Sequence, residues 1–265
     1  MARRGSEAVQ VSQYDRNSTS STFGNTIVAV PQHVPLKSLC VEESDTFQPQ
    51  VAPSQRLFKI RLADSHGHRE AAGLLVRRRY AWRGYQVGSG ERVQPNRITF
   101  SACTLDDIVA TISVGLDSAT GLFVDQLYRA EVDEFRASER KVCEFTKLAI
   151  EASVRSKPVL AALFHIAYIH ARRINRCRDL FVEVNPRHVV FYKQMLGFVD
   201  CGPERLDSRV GACAVLLRLD LAYAEREIVK LGGRTELART QRSLYPYFFA
   251  PSEENQVERR LRAVG

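Results

Sequence analysis

From residue 56 onward, apolar and polar positions recur with periods that name structural elements. RLFKIRLA (56–63) alternates, as a strand with one buried face does. Asp64 or Ser65 can cap the helix that follows, and EAAGLLVRRRYAWR (70–83) has helix-forming composition. Beyond a glycine-rich turn, NRITFSACTL (96–105) and DIVATISVGL (107–116) predict two strands joined by a tight turn at Asp106-Asp107. Helical tendency runs over 125–137, and KVCEFTKLAI (141–150), apolar on one phase, predicts a strand. The pattern then switches to a helix over 158–175, with Pro158 suited to its first turn. DLFVEVN (179–185) is a compact buried strand, and 187–196 is a helix closed by Gly197. VGACAVLLRLDL (210–221) is a late strand. A charged helix over 222–231, the aromatic stretch LYPYFFAP and a short charged helix over 252–262 complete the chain. Strands and helices alternate, but the middle strands lie too close together for a crossover, so the class is α/β with a mixed sheet.

Residues before 56 change this picture only by contrast. Met1–Gln55 is rich in Ser, Thr, Gln and Pro and poor in periodic apolar positions, and it is expected to be a disordered leader. The expected organisation is therefore a leader over 1–55, a catalytic-sized core over 56–221, and helices and an aromatic tail over 222–265 packed on that core.

Composition narrows the class. With 265 residues, 45% apolar and 26% charged, the chain is not collagen-like, coiled-coil or wholly disordered. Its longest apolar run, VLAALFHIAYIHA (159–171), is broken by His165 and His170 and falls short of the ~18–20 residues of a membrane-spanning helix. No apolar stretch follows the arginines of MARRGSEAVQVSQ, so no secretory signal is read and a cytoplasmic location is expected. The six cysteines form no C-x-x-C pair, and His66-Gly67-His68 has no third ligand nearby, so no metal is expected.

Charge adds a partner class. The net charge is +8; residues 1–54 hold four basic and five acidic side chains, so the rest carries +9. A basic fold implies an acidic partner, whether nucleic acid, anionic membrane or acidic protein. No nucleic-acid motif is present, and nucleic acid is not expected as the partner.

The most specific segment is DLFVEVNPRHVVFYKQMLGF (179–198): a buried strand, Asn185 at its end, a helix carrying Tyr192, and a Gly197-Phe198 closure. It resembles the C-terminal motif of the GNAT acyltransferase fold. The opening Asn185-Pro186-Arg187-His188, with Phe191-Tyr192 and Leu196-Gly197-Phe198, is more similar to the FeeM-like N-acyl amino acid synthases, relatives of the acyl-homoserine lactone synthases. REAAGLLVRRRYAWRGY (69–85), ATISVGLDSATGL (110–122) and EVDEFRASERKVCEFTKLAIE (131–151) look like that branch's first helix and central strands. The resemblance covers about 56–221. It implies a GNAT-like, mostly antiparallel central sheet flanked by helices, and an enzyme moving a long fatty acyl group onto the α-amine of an amino acid.

One departure bears on the donor. Acetyltransferases of this fold carry a glycine-rich loop whose N–H groups cradle the pyrophosphate of coenzyme A. The matching interval, EASVRSKPVLAAL (151–163), has no glycine. The expected donor is therefore an acyl-phosphopantetheine on acyl carrier protein, with coenzyme A thioester the lesser expectation. Carrier proteins are acidic, which makes Arg155 and Lys157 candidate contacts.

The resemblance and the chemistry of the reaction together point to candidate site residues. Glu144, on the strand that lines the cleft in this fold, is the candidate general base for the acceptor amine; the alternative is that it turns outward to Lys147. Backbone N–H groups of that strand would hold the oxyanion. Tyr192 is the candidate proton donor to the leaving thiolate, or else a packed aromatic with its hydroxyl on a backbone partner. Asn185 either bonds the pantetheine amides or caps its helix, and His188 is a second proton carrier or structural. Arg83, Arg136 and Arg140 are the candidates for the acceptor's carboxylate. LYPYFF (244–249) either closes over the acyl chain or packs on the sheet edge. Rival readings are an acyl-homoserine lactone synthase, a coenzyme A-dependent N-acetyltransferase and a non-catalytic carrier-binding module.

Overall fold

The computed structural model describes residues 26–31, 57–82, 84–85, 96–104, 107–154 and 156–264. Among these residues nine strands form one sheet: β1 (Thr26–Pro31), β2 (Leu57–Leu62), β3 (Arg97–Thr104), β4 (Asp107–Leu116), β5 (Val142–Ile150), β6 (Asp179–Val184), β7 (Val199–Asp200), β8 (Arg205–Asp207) and β9 (Ala212–Asp220). Their order is β1-β2-β3-β4-β5-β6-β9-β7, with β8 also on β9. Every pairing is antiparallel except β5–β6. The sheet is thus mixed and mostly antiparallel, as the pattern and the resemblance require.

Among the described residues six helices cover it. On one face lie α1 (His66–Ala81), whose Leu75 and Val76 meet Ala149, and α2 (Asp125–Ala137), whose Tyr128 and Val132 meet Val142 and Phe181. The opposite face carries α3 (Lys157–Tyr168), α4 (Val189–Leu196), α5 (Leu221–Leu231) and α6 (Pro251–Val264) over the main core. Local chemistry sets the starts: Ser65 caps α1 through the His68 N–H at 3.2 Å, and Asp220 caps α5 through the Ala222 N–H at 2.8 Å. The apolar run of α3 is buried on all sides, because the helix is clasped between the sheet and the C-terminal tail; the Phe249 N–H donates to His165 Nδ1 at 2.9 Å. Past Tyr168 the helix continues as a π-helical turn, Ile169–Ile174.

Two findings differ from the sequence reading. Thr26–Pro31 falls in the segment expected to be a disordered leader, yet it is a strand paired with β2. Its Ile27 and Val30 sink into the main core, and Arg260 of α6 donates to the Ile27 carbonyl at 2.7 Å. The short strands β7 and β8 come from VDCGPERLD, whose Gly-Pro pair reads as loop.

Gly197 closes α4 at φ +80°, and a Cβ there would lie 2.3 Å from the Tyr223 ring. Conformation and space both demand glycine. Gly197→Ala is expected to cost roughly 1–3 kcal/mol. Urea unfolding would measure this, and a loss under about 0.5 kcal/mol would refute the steric account.

Candidate active site

The sheet is interrupted in one place. β5 and β6 pair only through Val142, Cys143 and Glu144 with Asp179, Leu180 and Phe181; beyond that β5 continues to Ile150 and β6 to Val184 without pairing each other. A bulge in β5 accompanies the parting. Its register against β4 moves from Ser113 opposite Thr146 to Thr111 opposite Ala149, and Lys147 takes φ +53°. The Thr111 hydroxyl donates to the Lys147 carbonyl at 2.9 Å, which fixes the turned peptide. A bulge bends its strand, so β5 swings away from β6 and a wedge opens through the sheet.

The two sides of the wedge differ in chemistry. On the α3 side it is aromatic and aliphatic. Tyr192 sits edge-on to Phe164 and Phe198, with centroids 6.1 and 5.4 Å away, and Phe145 packs on Phe164. A cleft continues from there between Phe145, Leu180, Leu219, Tyr245 and Phe248, with about 280 Å³ of empty space, part of it open to solvent. Two residues of the LYPYFF tail thus line an apolar cleft next to the wedge. Burial, with Tyr80 adding, pushes the Tyr192 hydroxyl well above the usual phenol range, so it stays protonated.

The α2 side is polar. Glu144 is fully buried and does not turn outward to Lys147; it forms an ion pair with Arg97, itself 6% exposed. Its Oε1 also accepts the Phe123 N–H at 2.8 Å, and its Oε2 accepts the Val124 N–H at 3.0 Å. Arg97 donates to Thr146 at 2.7 Å and lies over the Phe123 ring, 3.8 Å from its centroid. Gly115 makes room for the pair, since a Cβ there would lie 2.9 Å from both partners.

Past the end of the pairing, Glu183 of β6 faces this same side, alternating with Leu180, Val182 and Val184 of the main core. Arg209 donates to Glu183 Oε1, to both Asp207 oxygens at 2.8 and 2.9 Å, and to the Phe123 carbonyl at 3.1 Å. Glu183 Oε2 is buried and has no hydrogen-bond partner. Burial pushes the Glu183 carboxyl up to about 7; Arg209 opposes this and Asp207 adds to it. Nothing singled this cluster out beforehand, although a lone charge inside DLFVEV was the available signal.

The other candidates are placed as follows. All five N–H groups of Arg136 are engaged: Asp117 is held at 2.8 Å by two of them, and Asp125 and Asp133 take the rest. In this arrangement the Arg136 fork is spent on carboxylates of the protein itself. Arg140 is likewise bound in two places to the buried Asp179, which Arg218 shares at 2.7 Å. Asn185 acts as a cap, its Oδ1 accepting the Arg187 N–H at 3.3 Å while its amide donates to the Cys213 carbonyl at 3.1 Å. His188 flanks the start of α4, half-buried, and Lys157 is the first residue of α3. Arg83 and Arg155 lie outside the described residues. The structure thus gathers Glu144 and Tyr192 at the wedge, on opposite faces, and leaves Arg136 and Arg140 in salt-bridge clusters.

Among the described residues, no group of three His, Cys, Asp or Glu side chains could hold a metal ion, and no helix is long and apolar enough to cross a membrane. No curated protein sequence matches the chain. Among solved structures, FeeM, an N-acyl amino acid synthase from uncultured soil microbes, is 25% identical, with a TM-score of 0.58 over 64% of this chain and 93% of that one. The acyl-homoserine lactone synthase LasI is 12% identical, with a TM-score of 0.43 over 63% of this chain and 91% of that one. ElaA of Escherichia coli is 10% identical, with a TM-score of 0.46 over 62% and 99%. The family described as N-acyl amino acid synthase FeeM matches residues 71–220, from within α1 to the end of β9. That span is more than half of the sequence and contains the whole wedge: the chain belongs to the FeeM N-acyl amino acid synthase family and is an N-acyltransferase.

Proposed function

We propose that this enzyme transfers a long-chain fatty acyl group from acyl carrier protein to the α-amine of an amino acid. The acceptor half rests on the family and on the soil-microbe relative, whose name is that of an N-acyl amino acid synthase. The donor half rests on one observation, the start of α3. Pro158 has no N–H, the Val159 N–H goes to the Ser156 hydroxyl at 3.4 Å, and the Leu160 N–H goes to the Ser156 carbonyl at 3.1 Å. A pyrophosphate cradle needs several free N–H groups at such a helix start, and here Pro158 has none to offer while those of Val159 and Leu160 are turned back onto Ser156. A carrier-bound phosphopantetheine brings a single phosphate held by its own protein, so it needs no cradle. Exposed Arg77 and Arg187 supply positive charge for an acidic carrier, while Arg78 is paired with Glu151.

In this reading the phosphopantetheine arm enters the wedge between β5 and β6, and the acyl chain runs into the apolar cleft beside Phe145 and Tyr245. Tyr192 stands on that same side with a hydroxyl that stays protonated, suited to donating to the leaving thiolate. The arginines of the α2 face hold their own carboxylates and build the rigid wall against which the acceptor binds.

The test is direct. Purified protein is given palmitoyl carrier protein or palmitoyl-coenzyme A together with the twenty amino acids, and products are read by mass. N-palmitoyl amino acid is expected, with kcat/KM at least tenfold higher for the carrier donor. Equal or better use of the coenzyme A thioester would overturn the donor assignment. Product formed only with S-adenosylmethionine would mark a lactone synthase instead.

A further inference from the structure

We infer that Glu183 is the catalytic base that takes the proton from the acceptor's ammonium group; the inference rests on the acyl-transfer reading above. A base must lie at the reaction centre, have a free lone pair and bind protons near working pH. Glu144, named for this role by resemblance, has its oxygens committed to Arg97 and to two backbone N–H groups. Loss of that charge would strand a buried guanidinium. Glu183 is the carboxylate placed differently. It stands on β6 just past the last paired residue, Phe181, where the wedge opens. Its Oε1 is held by Arg209, which fixes the side chain, while Oε2 is buried and accepts from no donor; the carboxyl's one other polar neighbour within hydrogen-bond reach is Asp207, itself an acceptor.

An unpartnered carboxylate oxygen in the interior costs free energy, and an incoming ammonium would supply the missing donor. The neighbours agree with the role. Asp207 beside it makes a second negative charge unwelcome and accepts a hydrogen bond from Glu183 when that acid holds its proton, while Arg209 keeps the acid from being neutral throughout. The carboxyl is thereby brought to about 7, between the amine it must deprotonate and the solvent it must return the proton to.

The step balances as follows. The ammonium carries three protons. Glu183 takes one and later passes it to solvent. The neutral nitrogen attacks the thioester carbonyl, forming the C–N bond, and the C–S bond breaks as the tetrahedral intermediate collapses. A second proton ends on the departing thiol through Tyr192, and the third stays on the amide. Glu183 and Tyr192 lie on opposite faces of the sheet at the wedge, so the amine arrives from one side and the thiol leaves on the other.

The experiment compares two nucleophiles with palmitoyl carrier protein at pH 7: the twenty amino acids, whose amines are protonated, and hydroxylamine, which is already neutral and needs no base. Glu183→Gln is expected to lose ~10²-fold or more in transfer to the amino acid but under threefold in transfer to hydroxylamine. The wild-type rate on amino acid should rise through an apparent pKa near about 7, and that dependence should vanish in the variant. Equal loss on both nucleophiles, or no loss on amino acid, overturns the assignment. Wild-type protein that acylates hydroxylamine and no amino acid overturns the acceptor reading, and the base falls with it. Should Glu183→Gln not fold, Glu183→Asp keeps an acid one methylene short. An intermediate rate on amino acid with hydroxylamine transfer intact then supports the base, and equal loss on both refutes it.

Discussion

Arg97→Met is expected to cost about 3–5 kcal/mol of folding stability, far more than loss of a surface ion pair. Its carboxylate partner Glu144 has no exposed surface, so deletion of the guanidinium leaves a buried charge held only by the Phe123 and Val124 N–H groups. Glu144→Gln should cost a comparable amount, because its amide turns a donor toward either the guanidinium or a backbone N–H. The double variant should cost clearly less than the two losses added, since neither charge is then left alone. Urea unfolding of the four proteins measures all three quantities, and a loss below about 1 kcal/mol in Arg97→Met would refute a buried, coupled pair. These variants should also lose transfer to both nucleophiles together, because the Phe123–Val124 turn they anchor also accepts from Arg209. That is the mark of a positioning pair.

A second large effect concerns pH, and two groups pull in opposite directions. Burial lowers His170 from 6.5 to about 4. Its folded-state pKa lies below the unfolded one, so the unfolded chain binds the proton first, and stability present above pH 6.5 is lost as pH falls toward 4. The full difference corresponds to about 3 kcal/mol. Glu183 is raised from 4.5 to about 7, so its contribution is present below pH 4.5 and is lost as pH rises toward 7, again by about 3 kcal/mol. Over pH 4.5–7 the two slopes largely cancel. His165, also lowered by burial, and Glu254, held low by His165 and Arg173 against its own burial, add acid sensitivity. Relative to wild type, His170→Gln should therefore become more acid-resistant by up to about 3 kcal/mol between pH 7 and 4.5. Glu183→Gln should become less so by a similar amount. Urea midpoints across that range decide the matter, and parallel pH curves for wild type and either variant would refute the assignment for that residue.

How much of this was legible beforehand depended on how local the cause was. Period-2 alternation in RLFKIRLA and DIVATISVGL marks β2 and β4, and the Gly197 stop marks the end of α4, because those signals lie within a few residues. The strand at Thr26–Pro31 is too short to stand out, and its order comes from α6, more than two hundred residues later. The bulge at Lys147 has no glycine to announce it. Charge partners were least legible of all. Arg136 and Arg140 read as free cations because the carboxylates that enclose them, Asp117 and Asp179, come from other elements. Glu144 drew attention as a charge on the right strand. Whether a carboxylate is bonded or open is decided by residues elsewhere in the chain, which is why nothing local in DLFVEV distinguishes Glu183.

The tie between β1 and α6 has a consequence for the order of assembly. Ile27 and Val30 are buried in the same core as Val257 and Leu261, and Arg260 fastens the Ile27 carbonyl. Closing so long a loop adds little to the entropy cost, which grows only with the logarithm of its length. It does add waiting time. During synthesis the edge of β2 can pair early with β1, and α3 can cover part of the apolar side of that pair, but the cover is complete only once α6 has left the ribosome. A nascent chain stalled before residue 251 would therefore leave the apolar face of the edge strand β1 partly bare, a surface on which growing β-rich chains stick to one another.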